Sequence, residues 1–193
     1  MIRKDITGII FCGGSGLRLG GVEKPLIKIE GKTILDHVIE RLHPQVSSII
    51  ISCGEKPKAY DKFKQTVISD QVPGDGPLGG FASAFKATTS SWIFTCPGDT
   101  PWIPSNLVHL LSEDAEKMGV GVPFDGLRRQ NLFLLIQRDR GASLVEYYNA
   151  GGRAIHRWLE ANQIISTDLS EYADQFFNVN NPRDVELLRN NSC

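Results

Sequence analysis

The chain has 193 residues, 41% of them hydrophobic, which is the size of one domain with enough apolar side chains for a sizeable core. Its 21 basic and 22 acidic residues leave a formal net charge of -1, so no overall field draws it to nucleic acid or a membrane surface, and any anion site has to be local. The four cysteines, Cys12, Cys53, Cys96 and Cys193, stand far apart without a C-x-x-C pair, the usage of reduced thiols rather than of a disulfide framework or a zinc site.

Short apolar stretches alternate with helix-period stretches throughout, the pattern of a three-layer, Rossmann-like α/β fold with a mostly parallel central sheet, and no internal repeat or linker divides residues 1–193 into more than one domain. Residues 6–12 read as the first strand. That stretch is too short for a signal peptide, and the longest aliphatic and aromatic run, 132–136, falls far below the roughly 20 residues that span a bilayer. A soluble, cytoplasmic protein is expected.

After a glycine-rich loop, Thr33 is placed to cap a helix whose Leu35, Val38, Ile39 and Leu42 share one face, ending near Pro44. Residues 48–53 read as a strand, 57–64 as a short helix and 66–69 as a third strand. A glycine and proline loop over 70–80 leads to a helix over 82–87, then a strand over 92–96 and a loop over 97–101. The next helix starts near Pro104 and turns Leu107, Leu110, Leu111 and Met118 inward. Strands near 119–123 and 131–137, helices near 142–149 and 153–160, a strand near Ile164 and a helix after Pro182 complete the chain.

The chemistry concentrates where the first strand ends. Five of the eleven positions between Cys12 and Lys24 are glycine, so successive backbone N–H groups can converge on an anion, and Arg18 and Lys24 supply the positive charge a triphosphate needs. Two familiar phosphate loops are excluded by position. A dinucleotide fingerprint starting at Gly14 and Gly16 needs glycine where Leu19 stands, and a P-loop ending Gly31-Lys32-Thr33 needs one where Leu26 stands. The plain alternative is a surface turn with two solvated basic residues. Against it stands the loop's place at the carboxyl end of a strand, where open α/β sheets bind ligands.

Asp99 ends the 92–96 strand region and would lie at the same edge if the strands are parallel. One carboxylate is the usual protein share of a magnesium site, the remaining ligands being water and substrate phosphate, although Asp is also a common turn-former. Asp70 follows the third strand in the same manner, ahead of a second glycine-rich loop at 74–80 that suits close approach to a base or ribose. His37, His43, His109 and His156 have no spacing that suggests a metal pair or triad.

With these residues assembled, the chain resembles the molybdenum cofactor guanylyltransferase family of the nucleotidyltransferase superfamily. The resemblance rests on the run from Gly13 to Lys24, Gly31-Lys32-Thr33-Ile34-Leu35, Asp70, Gly76-Pro77-Leu78-Gly79-Gly80, Asp99-Thr100-Pro101 and Phe177-Asn178-Val179-Asn180-Asn181-Pro182, in order along nearly the whole chain. It implies transfer of GMP from GTP to molybdopterin or molybdenum-molybdopterin with release of pyrophosphate. Phe11, Cys12, Gly13, Gly14, Ser52, Asp70 and the Gly79 loop would serve the nucleotide. Arg18 and Lys24 would contact phosphates, Asp99 would hold Mg2+, and Asn178 and Asn180 would face the acceptor. Transient contact with cofactor-assembly and molybdoenzyme proteins is implied as well.

The chain departs from the family at Glu23, where aspartate is more familiar, at Cys12, where alanine is usual, and at Ser52, where an asparagine can stand. Arg129-Gln130-Asn131 lacks a histidine-proline pair that relatives often carry. Two other readings stay open from sequence: a cytidylyltransferase or other small-molecule nucleotidyltransferase of the same fold, and a non-catalytic nucleotide-binding protein.

Overall fold

The computed structural model describes residues 5–13, 23–54, 56–72, 74–179 and 184. Strand β1 (Ile6–Phe11) is followed by a hairpin of β2 (Lys28–Ile29) and β3 (Lys32–Thr33), helix α1 (Ile34–Leu42), β4 (Ser48–Cys53), β5 (Thr66–Ser69), α2 (Gly76–Phe85) and β6 (Trp92–Pro97). Then come α3 (Leu107–Met118), β7 (Val120–Gly121), β8 (Pro123–Phe124), β9 (Leu134–Gln137), α4 (Arg138–Asn149), α5 (Ile155–Ala161) and β10 (Thr167–Asp168).

Six strands form the central sheet in the order β5-β4-β1-β6-β9-β7. The first four run parallel, and β9 enters antiparallel to both β6 and β7. Because successive side chains of a strand point to opposite faces, β1 serves two cores at once. Ile6 and Ile10 pack with Leu35, Val38 and Leu42 of α1 and Leu107 and Leu111 of α3, whereas Ile9 packs with Leu78 and Phe81 of α2 and Leu144 of α4. Helices therefore cover both faces, as expected.

Local signals explain several boundaries. Thr33 caps α1 through a reciprocal box: its Oγ1 accepts from the Asp36 N–H at 3.1 Å, and the Asp36 carboxylate accepts from the Thr33 N–H at 2.8 Å. The Gly31-Lys32-Thr33 sequence that imitates a P-loop instead closes the β2–β3 hairpin, with Glu30 and Gly31 both at positive φ.

Other expectations are corrected. Helix α2 begins at Gly76, not at 82, because Pro77 in its first turn starts it and the small residues Gly79 and Gly80 continue it into the core. Helix α4 likewise begins at Arg138 rather than 142. The segment at 57–64 is a 3-10 helix, Pro57–Phe63, and Ser170–Phe176 forms another that the sequence reading did not anticipate. The strand expected near Ile164 lies at β10, paired with β8 outside the main sheet. The helix expected after Pro182 falls largely outside the described residues.

Candidate active site

Parallel pairing puts the carboxyl ends of β1, β4, β5 and β6 at one edge. Phe11 is in register with both Ser52 of β4 and Pro97 of β6, and Ser52 with Ile68 of β5. The segments that follow these strands, carrying Gly13, Asp70 and Asp99, therefore leave the sheet side by side. A cavity of about 640 Å³ lies there. Phe11, Gly13, Ser52 and Asp70 line it from the strand ends, Pro77 and Gly80 from α2, and Glu23, Lys56 and Tyr60 complete the lining.

Inside the cavity the Ser52 hydroxyl donates to Asp70 Oδ1 at 2.8 Å. Partial burial pushes the Asp70 carboxyl up from its usual range, and the Ser52 hydrogen bond only partly offsets this. Gly80 makes the close approach of α2 possible, since a Cβ there would sit 2.5 Å from Ser52 Oγ and 3.2 Å from Asp70 Oδ1. Gly79, expected at the nucleotide, lies in α2 as well, and its nearest neighbours are Asp75 and Tyr148. One hundred degrees of helix rotation separate the two, and the one beside Ser52 and Asp70 is Gly80.

A raised carboxyl pKa means that the fold favours the protonated acid. The contribution from Asp70 is complete below the unfolded value of 3.8 and is lost as pH rises through the higher folded value. Asp70→Asn keeps the acceptor for Ser52 and removes the cost of the buried charge. Its melting temperature should equal or exceed wild type at pH 7, and the gain should shrink as pH falls through the folded value and vanish below the unfolded value of 3.8. A lower Tm for the variant at neutral pH would show that the fold holds the carboxylate, not the acid.

Beyond the cavity, the Lys24 ammonium lies 3.8 Å from Asp99 Oδ2, with both side chains about one-fifth exposed. Lys24 opens a 3-10 turn, Lys24–Leu26, secured by a bond from the Leu26 N–H to the Glu23 carbonyl at 2.9 Å. Asp99 is fixed from two sides. The preceding Gly98 N–H donates to the Phe11 carbonyl at 2.8 Å, and the Asp99 carbonyl accepts from the Val179 N–H at 2.9 Å. Next to it, the Thr100 hydroxyl donates to Asn178 Oδ1 at 2.5 Å. Asn178, expected on the acceptor side, thus meets the segment that carries Asp99.

Burial raises the Asp99 carboxyl, and Lys24 offsets this only in part. The ionised group is short of positive charge. That suits a hard divalent cation, which takes one or two carboxylates and fills its remaining positions with water and phosphate oxygens. Among the described residues no group of three or more acidic, histidine or cysteine side chains is placed to hold a metal ion.

Cys12 is buried below this edge. Its N–H donates to the Ser52 carbonyl at 2.7 Å, and burial holds its thiol well above the usual range, so the thiol stays protonated and packs under Gly98. Gly14, Arg18 and Asn180 lie outside the described residues. Arg129 and Gln130 are engaged by Ser166 and Asp125 at 2.9 and 2.5 Å. The sequence reading missed Tyr60 and Lys56 at the site: Tyr60 donates to Glu23 and Lys56 pairs with it, contacts no local spacing announces.

Residues 8–165 match the family model described as a MobA-like NTP transferase domain. The chain belongs to this family. It is a nucleotidyltransferase, and its relatives carry the name that the motifs pointed to. A molybdenum cofactor guanylyltransferase of Shewanella piezotolerans is 35% identical over 189 residues, which cover 95% of this chain and 91% of the relative. Another, of Cupriavidus metallidurans, is 35% identical over 193 residues, covering 96% and 95%. Among solved structures, molybdopterin-guanine dinucleotide biosynthesis protein A of Archaeoglobus fulgidus superposes with a TM-score of 0.77 at 20% identity, covering 95% of this chain and 97% of that one. This last likeness carries the family's fold.

Proposed function

We propose that the chain transfers GMP from GTP to the terminal phosphate of molybdopterin, with or without molybdenum, with Mg2+ as the metal. The observation that carries the reading is the pairing of Lys24 and Asp99 beside a nucleotide-sized cavity at the carboxyl edge of the parallel strands. A phosphate monoester has a second pKa of about 6, so at neutral pH the acceptor arrives as an anionic nucleophile and needs no general base. A bond forms between its oxygen and the α-phosphorus, and the bond from that phosphorus to the oxygen bridging to the β-phosphate breaks. The electron pair leaves with pyrophosphate.

The protein's share is alignment and charge. Lys24 holds the phosphates at a fixed distance from Asp99, and Arg18, from the glycine loop, adds a second cation. Asp99 would hold Mg2+, which supplies Lewis-acid neutralisation of the charge on the departing pyrophosphate. Phe11, Gly13 and Gly80 shape the base pocket. Once ionised, Asp70 accepts hydrogen bonds only, which matches the two adjacent donors on the Watson–Crick edge of guanine better than the donor and acceptor on that of cytosine.

The setting of such a reaction is the cytoplasm, with transient contacts to the proteins that supply the acceptor and take up the product. Among the described residues no helix is long and apolar enough to cross a membrane.

Pyrophosphate release measured with GTP and with CTP, each with molybdopterin and Mg2+, tests the assignment. GTP should be preferred by about a hundredfold or more in kcat/KM, the scale on which unpaired polar groups discriminate. A preference for CTP would make the chain a cytidylyltransferase. Tight GTP binding with no turnover on the acceptor would leave it a nucleotide-binding protein.

A further inference from the structure

Cys12 follows β1, Glu23 precedes the 3-10 turn that presents Lys24, and both meet one side chain. Tyr60, fully buried in the 3-10 helix Pro57–Phe63, places its hydroxyl 3.3 Å from the Cys12 carbonyl oxygen and 3.1 Å from Glu23 Oε2. The other Glu23 oxygen lies 3.0 Å from the Lys56 ammonium, at the residue just before that helix. One short helix therefore grips Glu23 at two points and Cys12 at one.

We propose that Tyr60 is a positioning residue whose hydroxyl ties Glu23 to the Cys12 backbone at the end of β1 and, through Glu23, sets the Lys24 ammonium against Asp99. The inference rests on the reading of Lys24 as a phosphate contact. A buried tyrosine hydroxyl needs partners, and here its proton is shared between a carboxylate and a carbonyl. Burial keeps the phenol protonated and therefore a donor. Glu23 transmits the constraint because its own carbonyl accepts the Leu26 N–H at 2.9 Å, the bond that forms the turn carrying Lys24. A lysine is a point charge on a flexible stem, so the place of its charge depends on how firmly that turn is held.

The test uses the full chain as wild type, Tyr60→Phe, Lys24→Ala and the double variant. Steady-state rates with GTP, Mg2+ and molybdopterin are measured alongside hydrogen–deuterium exchange of the hydrogen-bonded Cys12, Leu26 and Ile27 amides. Tyr60→Phe removes one oxygen and keeps the ring. It should lower kcat about tenfold or more, in line with the cost of displacing a charge by a fraction of an ångström, while KM for GTP moves less than about threefold. On the Lys24→Ala background the same change should cost less than about twofold, because the group being positioned is gone. Exchange at those three amides should rise in Tyr60→Phe while that of β4 stays at the wild-type level.

An equal loss of kcat on both backgrounds overturns the proposal, and so does unchanged exchange at the Cys12, Leu26 and Ile27 amides. If wild type fails to turn over GTP, the functional reading falls, and exchange alone decides on the positioning role. If wild type turns over GTP and Tyr60→Phe matches it in rate and exchange, the positioning role falls and the functional reading stands. Should Tyr60→Phe not fold, Glu23→Ala, which leaves the tyrosine in place, is judged by the same criteria.

Discussion

Lys24→Ala and Asp99→Ala are each expected to lower the initial rate of pyrophosphate release about a hundredfold or more, the cost of removing one preorganised charge contact. The two side chains come from segments 75 residues apart that meet only because β1 and β6 are neighbours in register. Their effects on the fold should differ from ordinary core damage. Burial raises the Asp99 carboxyl and Lys24 offsets this only in part, so Lys24→Ala, which removes the offsetting charge, should lower Tm at neutral pH, while Asp99→Ala removes the cost of the carboxylate but takes its partner from a largely buried ammonium. A rate loss far larger than the change in Tm is therefore the signature of a site residue here. Initial rates at saturating GTP and Mg2+, paired with thermal melts, read both quantities. Near-normal rates for both purified variants would mean that this cleft is not where the chemistry happens.

Gly98→Ala should damage stability and rate together. A Cβ at position 98 would stand 2.6 Å from Cys12 Sγ, 3.1 Å from the Phe11 carbonyl oxygen and 3.3 Å from Ile10 Cγ2. All three atoms belong to β1 and the residue after it, and the Phe11 carbonyl is backbone that also accepts the Gly98 N–H. Relief requires the ends of β1 and β6 to part at the point from which Asp99 leaves the sheet. Overpacking of this kind costs about 1–3 kcal/mol. In a domain of this size each of those lowers Tm by roughly 2–4 °C. Displacing Asp99 by a few tenths of an ångström should slow turnover about tenfold.

The companion Cys12→Ala/Gly98→Ala variant removes the nearest of the three atoms and leaves the carbonyl contact. It should recover part of the lost Tm. A Gly98→Ala protein with wild-type Tm and rate would show that the two strand ends separate freely, and that Asp99 is not held in place by their contact.

How far these residues could be read in advance follows from the range of the interactions. The first strand, the Thr33 cap and the strands at 48–53 and 66–69 were legible because each depends on periodicity or a cap within a few residues. Lys24 and Asp99 were legible as candidates because each follows a strand in a βα pattern, and parallel pairing brings such segments to one edge. The start of α2 was misread because glycines argue for a loop by propensity, whereas Pro77 in the first turn and burial against the sheet make the same residues helical. With that start misplaced, the helix phase that turns Gly80 toward Ser52 and Asp70 was out of reach.

Tyr60 stayed invisible because its partners lie 37 and 48 positions away, and an isolated tyrosine in a short polar helix carries no pattern. Alternation of strand and helix signals was enough to establish the layered architecture, and glycines and lone carboxylates placed after strands marked one sheet edge as the candidate site, since both follow from local order along the chain; the family came from the resemblance of motifs spread along it. Folding in three dimensions settled which groups touch: the 3.8 Å approach of Lys24 to Asp99, the choice of Gly80 over Gly79 beside the cavity, and the grip of Tyr60 on Cys12 and Glu23. Those are matters of distance across the sheet edge, and distance between remote residues is set by packing rather than by their order in the chain.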